Sequence, residues 1–472
     1  MKITVATGDG IGSEVMGAVL DIFHQAGVPL EYEVVPMGKA VALSGEKSGL
    51  SREARESVES TGLLFKGPME TPAGADYKSV TLTARKLWGT FANKRVFRTL
   101  PGVPTPIANQ RINLTMVREN IEDTYAAVEH MQTPDVAQCR RFITRPGSEQ
   151  VHRYTFRMAS RKGAKRVTCA HKAGVMKLTD GLFLDAFYDV AKEFTHLEVD
   201  DISIDGLAMR LVLDPSEFDV VVIPNLPGDI LTDLAAGLVG GLAYAPSANI
   251  GDGICIFEAA HGTSPNIVGQ DLANPSALLL SGTMMLRHVG LVRHADVIET
   301  ALQRTLLDMH RRPDLGEPIP VFRTSSFVER MSDELRRLSV PVGETAALEC
   351  HVRAEPKMWV SEAPAQSSLK GVDVFLESNV PPGALADTLG SLSDALTLTM
   401  ISNRGTEVWP HGSAYTDCVN HYCIRFESNS PVEQRAVLSV LEQLAQHHTL
   451  CGAEWLREID GTQAYSSAQG QN

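Results

Sequence analysis

Short apolar runs rich in branched residues recur along the first two thirds of the chain. Each is followed by a stretch whose apolar positions repeat every three or four residues. Residues 3–7, Leu63–Phe65, Ile112–Val117, Lys165–Ala170, Val220–Ile223 and Gly251–Glu258 read as strands. Residues 12–26, 141–160 and Ala277–Leu302 read as helices, and a second β–α unit covers 30–60. Strands alternating with helices predict a mostly parallel α/β sheet whose ligands collect beyond strand C-terminal ends. The most regular instance is Val220–Gly241. A β-branched run ends at Pro224, a turn carries Asn225 and Gly228, and a small-residue helix is expected to begin near Asp229 as N-cap. The Met284–Met285 face of Ala277–Leu302 reads as a helix-packing surface.

The pattern changes after about residue 340. Pro341, Pro356, Pro364 and a Gln-Ser-Ser run mark 340–370 as a linker. Beyond it come a strand (Val372–Leu376), a helix (Gly383–Ala395), two strands (Leu396–Ile401, Cys423–Phe426), a helix (Pro431–Gln446) and a strand (Ala453–Ile459). This β-α-β-β-α-β order predicts a ferredoxin-like, ACT-resembling module for assembly or effector binding.

Composition narrows the class. The 472 residues carry a net charge of −14, which argues against nucleic acid as a partner. No apolar run reaches the roughly 18 residues of a membrane span. Met1-Lys2 leads into a strand rather than a signal segment, and seven scattered cysteines suit a reducing compartment, so a cytoplasmic protein is expected.

In so acidic a chain, local cations are informative. Lys78–Arg98 holds Lys78, Arg85, Lys86, Lys94, Arg95 and Arg98 with Ser79 and no acid, a composition suited to a multiply anionic ligand. Arg118 follows a strand and Tyr125 lies near it, an anion clamp and a proton donor in outline. Lys172 leaves a strand beside glycine and is a candidate base. Asp229 and Asp233, one helical turn apart, with Asp205, offer oxygen-only ligands to a hard ion such as Mg²⁺ or Mn²⁺. On spacing alone the pair is equally a cap and a solvated face. Gly8-Asp9-Gly10-Ile11-Gly12 opens a helix, but the third glycine of a dinucleotide fingerprint falls at Ser13, so no Rossmann unit is implied. Cys418, His421, Cys423 and His411 match no standard zinc spacing.

Taken in order, G-D-G-I-G-S-E (Gly8–Glu14), K-G-P-M-E-T-P (Lys66–Pro72), V-R-E-N-I-E-D-T-Y (Val117–Tyr125), H-K-A-G-V-M-K (His171–Lys177), G-D-I-L-T-D (Gly228–Asp233), A-P-S-A-N-I-G (Ala245–Gly251) and E-A-A-H-G-T-S-P (Glu258–Pro265) resemble the metal-dependent β-decarboxylating dehydrogenases. The resemblance is greatest to isocitrate dehydrogenases with a C-terminal extension of the Thermus type. It implies the non-Rossmann mixed sheets of that family. A large cofactor-binding domain would comprise 1–90 and 240–338, and a smaller one 91–239 with a dimer-forming clasp near 123–144. A linker at 339–370 would lead to a C-terminal ferredoxin-like domain at 371–472.

The resemblance further implies that Arg85, Arg95 and Arg118 bind the α- and β-carboxylates, with Thr71, Ser79 and Thr81 also on the substrate. Asp205, Asp229 and Asp233 would hold Mg²⁺ or Mn²⁺, with Lys172 and Asp205 contributed by the partner of a homodimer that pairs further or stays a dimer. Lys172 would deprotonate the hydroxyl and Tyr125 protonate the enol. The activity implied is oxidative decarboxylation of isocitrate within the tricarboxylic acid cycle. His261, Gly262, Thr263, Asn266, Ile267 and Asn274 fall at cofactor positions. Thr81 replaces the usual Asn, and Lys172-Ala173-Gly174 stands where K-[SG]-N is usual. These departures leave open another γ-anionic hydroxy acid, such as a phosphonate or homoisocitrate, and a non-catalytic regulatory homologue remains a second reading. Asn266-Ile267 offers an uncharged amide where NADP enzymes place cations, which favours NAD, with NADP the alternative if Arg311, Arg312 or Arg323 supplies charge.

Overall fold

The computed structural model describes residues 1–70, 79–107, 110–309, 322–339, 343–346, 366–390, 392–413 and 415–469. These fall into two compact units, one of residues 1–125, 143–173 and 180–357, the other of 126–142, 174–179 and 358–472. The expectations for Thr71, Lys78, Arg311, Arg312 and most of the linker lie outside the described residues.

In chain order the first elements are β1 (Lys2–Ala6), α1 (Gly12–Gln25), β2 (Glu31–Val34), α2 (Lys39–Leu43), α3 (Arg52–Thr61) and β3 (Leu63–Lys66). Next come α4 (Val80–Leu87), β4 (Ala92–Arg98), β5 (Asn113–Glu119), the hairpin β6 (Val128–Thr133) and β7 (Val136–Arg140), and α5 (Arg145–Lys162). They lead to β8 (Arg166–His171), α6 (Thr179–Ala191), β9 (Glu198–Ser203), α7 (Ile204–Leu213), β10 (Val220–Ile223) and α8 (Asn225–Leu238). After these follow β11 (Pro246–Ile250), β12 (Cys255–Ala259), α9 (Ser276–His288), α10 (Val292–Met309) and α11 (Thr324–Arg337).

One ten-stranded sheet runs β2-β1-β3-β12-β11-β4-β5-β10-β8-β9. Its flanks are parallel, and β3 and β10 are buried at every residue because helices cover both faces. Its centre is not parallel: β11 pairs antiparallel with β12 and β4, and β4 with β5. The sheet is therefore mixed, and the candidate site gathers at this antiparallel centre.

Two helix expectations in the first unit need correction, and in the second the helix expected over Gly383–Ala395 ends at Leu389. The α8 helix starts at Asn225, not Asp229, so Asp229 is no cap and lies in the second turn. The helix starts early because a distant carboxylate serves its first turn: Asp123 Oδ2 accepts from Leu226 N at 2.9 Å. Ala277–Leu302 is two helices, broken at Gly290, whose φ of +83° belongs to the left-handed region.

The second unit holds the β6–β7 hairpin and a module of β13 (Ser367–Glu377), α12 (Pro382–Leu389), β14 (Thr397–Asn403), β15 (Thr406–Trp409), β16 (His421–Glu427), α13 (Gln434–Ala445), β17 (Thr449–Ile459) and β18 (Thr462–Gln463). Its antiparallel sheet runs β15-β14-β16-β13-β17-β18, the ferredoxin-like order with a short strand added at each edge. Val372, Val374 and Leu376 on β13 share one core with Leu385 and Leu389 of α12 and Val437, Val440 and Leu444 of α13. The hairpin joins this module through Arg140–Glu454 (3.1 Å) and the Cys451 thiol on Gln132 O (3.2 Å).

Candidate active site

The site begins where α4, β4, β5 and α8 meet. Ser79 caps α4, its side chain accepting from Leu82 N. Arg85, two turns on, reaches the sheet. On β4, Asn93 and Arg95 lie on one face and Lys94 on the other, as strand alternation requires. Arg95 is buried, with Nη1 donating to Thr232 Oγ1 at 2.8 Å and Asp233 Oδ1 at 2.9 Å. From β5, Arg118 is 1% exposed, gives Nε to Asn225 Oδ1 at 2.9 Å, and makes a close ion pair with Asp229. Gly228 is needed here, because a Cβ would stand 2.7 Å from Arg118 Cγ.

Asp229 is the hub. Oδ1 faces Arg118, with Arg95 Nη2 at 3.8 Å, and Oδ2 accepts from Tyr125 Oη at 2.7 Å. Burial alone would raise its carboxyl, but Arg118, the Tyr125 hydroxyl and Arg95 outweigh burial and hold it below the ordinary carboxylate range. Burial and the bond to Asp229 push the Tyr125 hydroxyl up, so it keeps its proton at neutral pH. Tyr125 is fixed by the Arg118 guanidinium 4.7 Å above its ring and by Lys86 Nζ donating to its carbonyl at 2.5 Å. Burial, then Arg85, lowers Arg118 to about 10, still charged at neutral pH.

Beneath the arginines is a buried polar network that motif reading did not single out. Glu258 of β12 receives Lys66 Nζ at 2.5 Å, Arg85 Nη2 at 2.8 Å and Asn249 Nδ2 at 2.7 Å. Burial would raise Glu258, yet Lys66 and Arg85 hold it far below its usual value. Lys66 also donates to Thr81 Oγ1 at 3.1 Å, and Asn120 and Asn93 both bond Asn249 Oδ1. The available signal was a charged residue ending each of two apolar strands, Lys66 and Glu258.

Asp229 and Asp233 present partly exposed oxygens, 40% and 55% by side chain, on one face of α8. These donors suit a hard divalent cation. Asp205 stands elsewhere, in the first turn of α7, ion-paired with Lys172 Nζ at 2.5 Å, which holds its carboxyl down. Among the described residues no three His, Cys, Asp or Glu side chains are grouped to hold a metal ion. Lys172 is set by its own N–H donating to Asp180 Oδ2 at 2.6 Å.

The expected cofactor residues form a loop seated on the glycine-rich turn. Ile11 N donates to Thr263 O at 3.0 Å, and a Cβ on Gly10 would lie 2.2 Å from that oxygen. Asn266 and Ile267 sit in the 3-10 turn Pro265–Ile267, and Asn274 Oδ1 accepts from Ser276 N. Gly262 O faces His261 Nδ1 at 3.0 Å. Among the described residues Arg85 Nε and His261 Nε2 are buried without a hydrogen-bond partner, which leaves a ligand one donor on Arg85 and, since His261 Nδ1 donates to Gly262 O, one acceptor on the neutral His261 ring.

Residues 2–331 match the family described as isocitrate/isopropylmalate dehydrogenase, and 367–471 the one described as bacterial isocitrate dehydrogenase, C-terminal domain. The chain is 41% identical over 477 residues to the isocitrate dehydrogenase (NADP) of Thermus thermophilus, covering 100% of this chain and 96% of that protein. A solved structure, the TT0538 protein of Thermus thermophilus, superposes with a TM-score of 0.91 at 40% identity, over 100% of this chain and 96% of that one. Over 339 residues the chain is 42% identical to a mitochondrial regulatory chain of isocitrate dehydrogenase (NAD) from Dictyostelium discoideum, covering 71% of this chain and 93% of that protein.

Proposed function

Because the chain belongs to the isocitrate/isopropylmalate dehydrogenase family, we propose that it catalyses the oxidative decarboxylation of isocitrate to 2-oxoglutarate, with NADP accepting the hydride. The observation that carries this reading is the meeting of Arg95 and Arg118 at Asp229, with the protonated Tyr125 hydroxyl bonded to the same carboxylate and Arg85 anchored on Glu258 and Asn120 in the same network. Two buried guanidinium groups and the partly exposed one of Arg85 suit a substrate with several carboxylates.

In this reading Arg85, Arg95 and Arg118 orient the α- and β-carboxylates. Ser79 and Thr81 meet the third, Thr81 steadied by Lys66. Lys172 Nζ takes the hydroxyl proton, and Tyr125 Oη returns one to the substrate carbon after the β-carboxylate leaves. Asp229 and Asp233, with Asp205 from a partner protomer, would hold a divalent ion such as Mg²⁺ or Mn²⁺, which when bound supplies charge stabilisation to the substrate oxygens. The homodimer with shared sites, the division of 1–338 into two lobes and a cytoplasmic setting belong to the same proposal.

The full-length relative from Thermus is named for NADP, and this supports NADP here. Asn266 argued for NAD, so the 2′-phosphate needs a cation from another position. Arg323, 57% exposed and 3.8 Å from Asp271, is one described candidate. The test is formation of NADPH and NADH from isocitrate with Mg²⁺ or Mn²⁺, beside a panel of γ-anionic hydroxy acids. Metal-dependent ligand binding without reduction of either cofactor would refute the catalytic reading.

A further inference from the structure

The basic stretch between Arg85 and Arg98 does not all serve the cleft. Lys94, Val96 and Arg98 take the face of β4 opposite Asn93 and Arg95, Lys94 in register with Ala248 of β11. There they line a cavity of about 160 Å³ with Arg287 of α9 and Glu299 of α10, while Leu280 and Met284 form an apolar wall. A cavity of that order, about 150 Å³, is enough to take in a molecule of benzene size.

The charges in this cavity do not balance. Three cations line it, Lys94, Arg98 and Arg287, against one lining acid, Glu299, with Asp296 outside the lining paired to Arg287 at 2.6 Å. Glu299 is already engaged by Arg287 at 2.5 Å, Thr283 at 2.8 Å and Arg98 at 3.5 Å. Among the described residues Lys94 Nζ has neither hydrogen bond nor ion pair. Burial and then Lys162, Arg98 and Arg287 bring it down to about 8. His288 on α9 is lowered by burial and by Lys94, and contributes no compensating charge. A lysine held without a carboxylate beside two arginines is costly unless an anion visits it.

We propose that this cavity binds a small organic anion, its carboxylate or phosphate group held by Lys94 between Arg98 and Arg287 and its short body lying along Leu280 and Met284. The site is separate from the cleft, and the proposal does not rest on the substrate assigned there. The apolar wall favours a carbon chain, and the cations accept either acidic group.

Titration calorimetry of the full chain with butyrate, and separately with inorganic phosphate, tests it. Expected is one saturable site for at least one probe, weakened about tenfold or more in Lys94→Met and several-fold in Arg98→Gln, but retained in Arg118→Gln, which disables only the cleft. Which probe binds identifies the acidic group. Thermal melting of Lys94→Met, expected at or above the unsubstituted chain, shows that lost binding is not lost folding. The proposal fails if neither probe saturates, if Lys94→Met binds as the unsubstituted chain does, or if Arg118→Gln alone abolishes binding.

Discussion

Tyr125 and Glu258 show two ways one side chain can matter to the same cleft. The Tyr125 hydroxyl keeps its proton because burial and Asp229 both oppose ionisation, the state a proton donor must hold. Tyr125→Phe should therefore lower kcat by roughly 10²–10⁴-fold while leaving KM for isocitrate within a few-fold, read from steady-state NADPH formation. An unchanged kcat would remove Tyr125 from the chemistry. Glu258 acts by neutralising Lys66 and Arg85 beneath the arginines. Glu258→Gln leaves two buried cations underpaired and should cost roughly 3–5 kcal/mol in denaturant unfolding. Because the folded carboxyl is held below its unfolded value, its stabilisation is complete above the unfolded carboxylate range. The gap between the two proteins should shrink as pH falls below about 4. Arg95 was legible as part of an acid-free basic segment, Arg118 as a charge at a strand end, and Asp229 as an acid one helical turn from Asp233. Asn93, Asn249 and Glu258 were not, because their use depends on β4 and β11 lying adjacent and antiparallel, a pairing between distant segments that local pattern does not encode.

At the level of elements, strand existence was plain wherever both faces were buried, as in β10 and β3, since such runs need no alternation to be seen. Helix ends were less legible. The start of α8 depends on Asp123, about a hundred residues earlier in the chain, and Asp229 mimicked a cap because acidic residues near a helix start usually are caps. Removing the true partner tests this: Asp123→Ala should destabilise the protein by roughly 1–2 kcal/mol in denaturant unfolding, an effect that would be absent if α8 were capped from its own segment. Packing of α5 on α6 carries a second signature. His152 is buried, donates from Nε2 to Phe183 O at 2.9 Å, and is enclosed by Phe183 and Phe187. Burial lowers it to about 3, so between that value and the unfolded 6.5 the unfolded chain binds the extra proton. Stability should be fully present above about pH 6.5 and fall as pH drops, by up to roughly 1.4 kcal/mol per pH unit from this one group. His152→Leu should flatten that slope in pH-dependent unfolding, and an unaltered slope would show that His152 is not its source.

Across the whole molecule the question is how many chains make one catalytic centre. Asp229 and Asp233 are bound into the arginine cluster, whereas Asp205 is tied to Lys172 at the start of α7. The described residues of one chain do not gather the three carboxylates. Sequence spacing listed the acids but could not say whether they meet within a chain or across a two-fold axis, because symmetry leaves no mark on a single copy's local pattern. If each centre takes Asp229 and Asp233 from one protomer, with Asp205 and Lys172 from the other, then Asp205→Asn and Asp229→Asn are each inactive alone. A mixed dimer rebuilds one intact centre beside one that carries both lesions. Random mixing makes half the dimers mixed, so co-refolded variants should recover about a quarter of unsubstituted activity. Recovery would follow the mixed-dimer fraction separated by affinity tags of two kinds. If instead one chain completes its own centre, tagged mixed dimers stay as inactive as their parents, and the shared-site assignment of Asp205 and Lys172 falls while the roles of Arg118, Asp229 and Tyr125 stand.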